Sequence, residues 1–396
     1  MKSTKHTLFL AFLAGILSTF AVAEEQITRH ENVLGTSLEL RVDAPKDEAS
    51  RVEKLVLNEI DRLAKILSRH DASSELMLWQ TSKSATGAKV STELKAVLER
   101  AEHWRQKTGG AFEVRSAALS ALWRDAESKQ KPVNDASRQG IVSKLSKAPY
   151  SFDKAGKSTR NDDLPIDLDG LAKGYILDAV CATVSKTFPK VENFSINIGG
   201  DVRKQGSGPL QVSIESPFSA KQGAKPLTSF VADQSIAVAT SGNYRRHFKI
   251  QGRKYSHIID PRSGLPAGRV VSATVTAKSG VDADALATSL SVLSPEDGVQ
   301  LIDSIEGSEC LLVLSDGKQV TSRAWPGIGS KAGEVASANP KEASGLHVRF
   351  TLNKPKRGRY RRPYVAVWLE DSDGFPVKTA VLWIQTTAPG PRWHRD

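Results

Sequence analysis

The chain has 396 residues, 39% hydrophobic and 25% charged, enough for about two globular domains and unlike a fibrous or wholly disordered protein. Its formal charge of +11 is uneven: residues 346–396 hold ten Lys/Arg against four Asp/Glu, two further lysines are Lys2 and Lys5, and residues 24–345 carry only +3. The basicity belongs to the tail and not to a nucleic-acid surface on the main body.

The first residues read as a signal peptide over 1–23: Lys2 and Lys5, an apolar run over 8–17, then Ala21-Val22-Ala23 before Glu24,. The mature chain is expected to start at Glu24 and to be exported, periplasmic and soluble. No cysteine sits at the cleavage point to carry a lipid, and no later apolar run is long enough to span a membrane. Cys181 and Cys310 are far apart in apolar surroundings and are expected to be free, buried packing residues.

Residues 31–42 read as one strand interrupted by Leu34-Gly35-Thr36-Ser37. Val52, Leu55, Val56, Ile60, Leu63 and Leu67 recur at helical spacing. A polar loop over 68–75 follows. A second helix over about 91–107, with Leu94, Val97, Leu98, Ala101 and Trp104 on its core face, stops at Gly109-Gly110. Residues 129–163 show little periodicity and read as loops with a short helix. After a third helix that begins near residue 170, short β-branched stretches over 194–198, 210–214, 235–240, 244–250, 270–277 and 310–314 read as strands. Helices before and among mostly non-parallel strands indicate an α+β domain over 24–325. A Gly/Ala/Ser/Pro-rich linker over 326–345 leads to three further strands in 346–396, with a hairpin turn at Asp371–Pro376. That is too little for an independent core. The cluster Lys354, Lys356, Arg357, Arg359, Arg361 and Arg362 is open to an acidic partner or a membrane surface, and export argues against nucleic acid.

Five stretches concentrate polar chemistry. In IDLDGLAKGYILD, Asp167, Asp169, Gly170 and Lys173 precede or open the third helix. Acids there cap a helix or answer its dipole; glycine and lysine also suit a phosphate at the free N–H groups. NIGGD ends a strand at Gly199-Gly200-Asp201, either a capped turn or a close approach to a ligand. ATSGNYRR and YSHIIDPRSG gather hydroxyls, arginines, His257 and Asp260 on short loops; strand alternation would send His257 and Ile259 to one face, Ile258 and Asp260 to the other. In DADALATSL, Asp284 and Thr288 lie one helical turn apart, so a carboxylate and a hydroxyl share a face and suit a hard cation such as Mg²⁺, although a capping aspartate and an inward threonine account for the pair more simply.

In that order, over about residues 33–325, the five stretches resemble the ApbE-type FAD:protein FMN transferases. The resemblance implies a two-lobed α+β fold of short, mostly antiparallel strands and flanking helices, followed by a small C-terminal β segment. It implies a Mg²⁺-dependent enzyme that splits FAD as substrate, releases AMP and attaches FMN to a threonine or serine of an exported acceptor protein. Carried over residue by residue, the metal positions are Gly170, Asp284, Thr288 and Ala287 through its main chain. Asp167, Lys173 and Ile258 match flavin-nucleotide contacts, and the proton acceptor for the incoming hydroxyl is His257 or Asp284. Departures stand at Leu34-Gly35-Thr36, near His70 and at Glu113, all expected around the cofactor pocket. The tail from Arg362 to Trp383 resembles the start of a domain of unknown function. Two alternatives keep the same residues: an FAD pyrophosphatase in which water replaces the protein hydroxyl, and a non-catalytic flavin-binding protein.

Overall fold

A computed structural model describes residues 25–82, 86–219, 226–242, 247–326, 365–370 and 376–383. The expected signal peptide, the linker beyond residue 326, the basic cluster and residues 243–246 lie outside the described residues. The chain divides into two compact units, Met1–Val335 and Ala336–Asp396.

In the first unit, β1 (Glu25–Val33) and β2 (Thr36–Asp43) precede α1 (Lys46–Leu67), α2 (Glu75–Thr81), β3 (Thr86–Lys89), α3 (Thr92–Lys107), α4 (Ala117–Lys129) and α5 (Asp135–Leu145). Then come β4 (Tyr150–Phe152), β5 (Lys157–Arg160), α6 (Ala172–Thr187), β6 (Phe194–Ile198), β7 (Asp201–Gln205), β8 (Leu210–Ile214), β9 (Thr228–Ala232) and β10 (Ile236–Gly242). The unit closes with β11 (His247–Ile250), β12 (Arg253–Ser256), β13 (Ile259–Asp260), β14 (Leu265–Pro266), β15 (Val270–Ala277), α7 (Gly280–Leu290), α8 (Pro295–Asp303), β16 (Glu309–Leu314) and β17 (Gln319–Thr321). In the second unit, β18 (Val365–Glu370) pairs antiparallel with β19 (Pro376–Trp383), as the hairpin pattern predicts; its turn lies outside the described residues.

An eight-stranded sheet ordered β1-β2-β6-β7-β10-β15-β16-β17, antiparallel at every step, is the frame. Alternation decides what each face meets. Ala237 and Ala239 of β10, with Ala273 and Val275 of β15, point into the main core with α1, α3, α6 and α7. Val202 and Val238 point to the opposite face, where the β8–β9 hairpin and Trp325 cover them. The single strand expected over 31–42 is a hairpin, because Leu34 and Gly35 both adopt positive φ (50° and 75°) and turn the chain back,. The amphipathic spacing in α1 holds: Val52, Val56, Ile60, Leu63 and Leu67 are all buried,.

A second lobe gathers α4, α5 and β11–β13 around Trp123, which lies 5.2 Å from Tyr255 and 6.2 Å from Phe248 between ring centroids. The indole N–H donates to Gly264 O at 3.0 Å. Helix α4 was not foreseen from sequence, since its start lacks a side-chain cap bond to mark it.

Arg115 ties this lobe to the rest. Fully buried, it pairs with Glu113 through two nitrogens (2.9 and 2.8 Å) and with Asp162, and it donates to the carbonyls of Lys144, Leu145 and Lys147 at the end of α5. Such complete pairing is what makes a buried guanidinium tolerable.

Cys181 and Cys310 are both buried and free. Burial pushes their thiols up to about 12 and about 11 respectively. Neither is expected to react with a thiol reagent such as DTNB in the native protein near pH 8, and both should react after denaturation; a fast-reacting native thiol would contradict this packing.

Candidate functional site

The site forms where α6 begins, where α7 crosses it, and where the β6–β7 turn meets both. Helices α6 and α7 touch backbone to backbone. A Cβ at Gly174 would stand 2.1 Å from Gly280 O, and one at Gly280 would stand 2.5 Å from Gly174 O. Asp178, one turn further along α6, accepts the first N–H groups of α7 from Gly280 (2.8 Å) and Val281 (2.9 Å) and pairs with Arg203 at 2.9 Å. One helix thus caps the other.

This crossing sets Asp284 against α6. Its Oδ2 accepts the Gly174 N–H at 3.2 Å, and among the described residues it has no ion pair. Burial, with the charge of Asp201 beside it, pushes the Asp284 carboxyl up to about 7, against the opposing pull of Lys173,. One turn on, Thr288 Oγ1 donates to Gly170 O at 3.3 Å. Gly170 is closely packed: a Cβ there would lie 3.2 Å from Thr288 Oγ1 and 3.4 Å from Phe112. Asp284 and Thr288 on α7 therefore converge with Gly170 in the turn that leads into α6. The Ala287 carbonyl, the fourth metal position expected from sequence, accepts both the N–H (3.3 Å) and the hydroxyl (3.1 Å) of Ser291.

Among the described residues no three His, Cys, Asp or Glu side chains group as a metal cluster. A cation here would rely on one carboxylate with hydroxyl and carbonyl oxygens. That all-oxygen donor set fits Mg²⁺, and a buried carboxylate with no ion-pair partner is where a cation's charge is missing. The neighbouring Asp282 does a different job: it accepts from Arg100 Nε (2.7 Å), Trp104 Nε1 (2.9 Å) and the N-capping Ser279 hydroxyl (2.6 Å), so it anchors α7 on α3.

Lys173, in the first turn of α6, is bonded to Asp201. Burial works against its charge, but Asp201 and Asp284 outweigh that and hold the ammonium above its usual range. Asp201 is almost fully buried and its Oδ1 accepts the Thr240 N–H at 3.3 Å. It follows Gly199 and Gly200, whose positive φ values of 62° and 100° make the tight β6–β7 turn,.

The acids before α6 do not cap it; its N-terminus has no side-chain cap bond. Asp167 Oδ1 accepts the Asp169 N–H at 2.9 Å instead, and Arg69 from the loop after α1 pairs with both carboxylates, at 3.0 Å to Asp167 and 2.8 Å to Asp169. Burial and the Asp169 charge push Asp167 up to about 6, moderated by its own hydrogen bond and by Arg69.

His257 and Ile258 come from the second lobe. They fall in the break between β12 and β13, so the expected alternation from 257 to 260 does not run through, although Ile259 is buried. The Ile258 N–H is held by Ser256 Oγ (3.1 Å) and its carbonyl accepts from Ala267 (2.9 Å), while Arg262 closes the following turn on Asp260. Asp284 and Thr288 on α7 are thus brought together with Lys173 on α6 and Gly170 just before it, Asp167 precedes the latter two on the same chain stretch, and His257 and Ile258 sit on the other lobe.

Asp201, Asp178 and Arg69 were not among the site residues expected from sequence. The acid after the glycine pair and the acid closing the α6 stretch were visible signals; a lone arginine in a polar loop gave none. A groove of about 1180 Å³ on the outer sheet face is lined by Thr36, Asn197, Gly199, Gly200 and Thr240 but by none of the expected site residues, and it reaches the site only at the β6–β7 turn.

Residues 34–312 match the family described as the ApbE family, and residues 345–396 match one described as "Predicted periplasmic protein". The FAD:protein FMN transferase of Vibrio cholerae is 30% identical over 274 residues, covering 66% of this chain and 80% of that protein. The protein of the same name from Haemophilus influenzae is 28% identical, covering 64% and 76%. Among solved structures, the ApbE protein of Thermotoga maritima superposes with a TM-score of 0.66 at 26% identity, over 76% of this chain and 97% of that one. A mutant form of the flavin transferase ApbE of Vibrio cholerae gives 0.63 at 26% identity, over 76% and 98%.

Replacing Gly174 by Ala is expected to destabilise the protein by about 3 kcal/mol or to prevent folding, because backbone and not a flexible side chain stands in the way. Gly140→Ala, in an exposed turn of α5 with open space around it, should be neutral or stabilising by up to about 1 kcal/mol. Urea unfolding of the two variants checks the contrast.

Proposed function

The chain belongs to the ApbE family, and on that premise we propose that it is a Mg²⁺-dependent FAD:protein FMN transferase, which splits FAD, releases AMP and leaves FMN on a threonine or serine hydroxyl of an exported acceptor protein. The observation that carries this reading is the convergence of a buried carboxylate that has no ion pair among the described residues, a hydroxyl and a carbonyl beside a lysine at the start of a helix. Hard oxygens and an ammonium together suit a pyrophosphate.

Asp284, Thr288 Oγ1 and Gly170 O would hold the cation, with Ala287 O joining where the Ser291 hydroxyl gives way. When bound, Mg²⁺ supplies positive charge to the pyrophosphate oxygens. Lys173 adds its ammonium to the same phosphates. Asp167, steadied by Arg69, and Ile258 orient the flavin nucleotide. The acceptor oxygen bonds to the phosphorus on the FMN side, the bond from that phosphorus to the AMP oxygen breaks, and His257 takes the acceptor's proton. Asp284 is the poorer base because its lone pairs serve the cation. The expected signal peptide and the C-terminal match support export to the periplasm. No helix among the described residues is long and apolar enough to cross a membrane.

The test is the intact mass of a threonine-bearing flavin-acceptor protein after incubation with the mature protein, FAD and Mg²⁺, with AMP followed alongside. A gain equal to FMN is expected, abolished by EDTA and by Asp284→Ala, and slowed about 100-fold or more by His257→Ala. Free FMN and AMP without a mass gain would make the protein a pyrophosphatase, and neither product would make it a flavin-binding protein.

A further inference from the structure

Three carboxylates crowd the one ammonium at the start of α6. Lys173 feels Asp201, Asp284 and Asp169. Asp169 is already paired with Arg69. That leaves one lysine between two buried carboxylates, one of which also belongs to the metal positions described above. The lysine stem is flexible enough to reach either. It bonds Asp201.

Asp201 is fixed from three sides. It starts β7 directly after the Gly199–Gly200 turn, its neighbour Val202 is packed on the outer face, and its Oδ1 accepts the Thr240 N–H from the adjacent strand at 3.3 Å. Asp284 is fixed by α7 and by the Gly174 N–H. Geometry therefore decides which acid takes the lysine, and the rigid strand end wins. A direct Lys173–Asp284 pair would fill the carboxylate with an internal cation and close it to a metal.

We propose that Asp201 is a positioning residue that keeps Lys173 off Asp284, so that the Asp284 carboxylate stays open to a divalent cation while the ammonium stays directed at the phosphates. The inference rests on the metal assignment made under the proposed function and adds to it a residue that touches neither metal nor substrate. Removing Asp201 frees Lys173 to fold onto Asp284 and act as a competing cation. Removing the lysine as well removes the competitor.

The experiment is a double-mutant cycle read by Mn²⁺ binding to the FAD-free protein, followed by electron paramagnetic resonance, for wild type, Asp201→Asn, Lys173→Met and the double variant. Asp201→Asn is expected to weaken Mn²⁺ binding about 10-fold or more, and Lys173→Met should strengthen binding at least 10-fold more in the Asp201→Asn background than in wild type. Equal effects of Lys173→Met in both backgrounds would mean that the lysine acts only as a distant charge, and would overturn the inference. Thermal melts check folding, and Asp201→Ser, which keeps an acceptor for the Thr240 N–H, replaces the Asn variant if that fails to fold. A crystal structure of the Asp201 variant should place Lys173 Nζ within hydrogen-bond distance of Asp284; a lysine left pointing at residue 201 would also overturn it. Wild-type protein that binds no Mn²⁺ and transfers no FMN would instead remove the metal assignment itself, whereas additive binding in an active protein removes only the role of Asp201.

Discussion

The approach of α6 and α7 at Gly174 and Gly280 is the constraint on which the site depends. Two helices this close leave no room for a Cβ at either position. The closeness lets a side chain on α7 accept a hydrogen bond from a main-chain N–H of α6, and lets Thr288 reach Gly170 O across the gap. Asp178 locks the register by capping α7 from α6, and Asp282 locks the other side of α7 onto α3. A separation larger by one methyl group would leave Asp284 and Thr288 on α7 facing space.

The sheet contributes by alternation. On β7, Asp201 turns toward α6 and Val202 toward the opposite core. A one-residue slip of this strand would exchange them, bury a valine against Lys173 and leave a carboxylate among Phe230, Val238 and Trp325. The five paired positions of β7 with β6, together with the β10 pairing, hold the register. The electrostatics of the site are therefore inherited from strand register as much as from the helices, which is why an acid on a β-turn can govern a lysine on a helix.

Much of this was legible in residue order. The strands over 210–214 and 270–277 have the predicted bounds, because β-branched runs between turn residues leave little choice. The pairing of Asp284 with Thr288 followed from helical spacing, and the antiparallel α+β class from short strands with turn signals. What sequence could not supply was partner choice between distant segments. Asp167 and Asp169 looked like helix caps because caps are common near helix starts, but their main partner is Arg69, about a hundred residues earlier. The break at His257–Ile258 was hidden because Tyr-Ser-His-Ile-Ile reads as a continuous β run; it is the Ala267-to-Ile258 bond and the Asp260–Arg262 turn that end it.

The same long-range view changes the meaning of the departures from the family pattern. Glu113 was expected at the cofactor pocket, and its carboxylate is buried and paired with Arg115, which also donates to three carbonyls at the end of α5. Glu113 serves the joint between the lobes. Its influence on the site runs through the main chain: the segment that carries Glu113 presents Phe112 to Gly170 and gives the Val114 carbonyl to the Asp167 N–H at 2.7 Å. Near His70, a different compensation holds. His70 is exposed, 3.6 Å from Asp169, and its neighbour Arg69 neutralises the acid pair ahead of α6. Arg69 thus sets a cation beside the acids, with charge-assisted hydrogen bonds to both carboxylates,. Both changes reach the proposed metal positions only through neighbours: Phe112, next to Glu113, lies against Gly170, and Asp169, the partner of Arg69, directly precedes it.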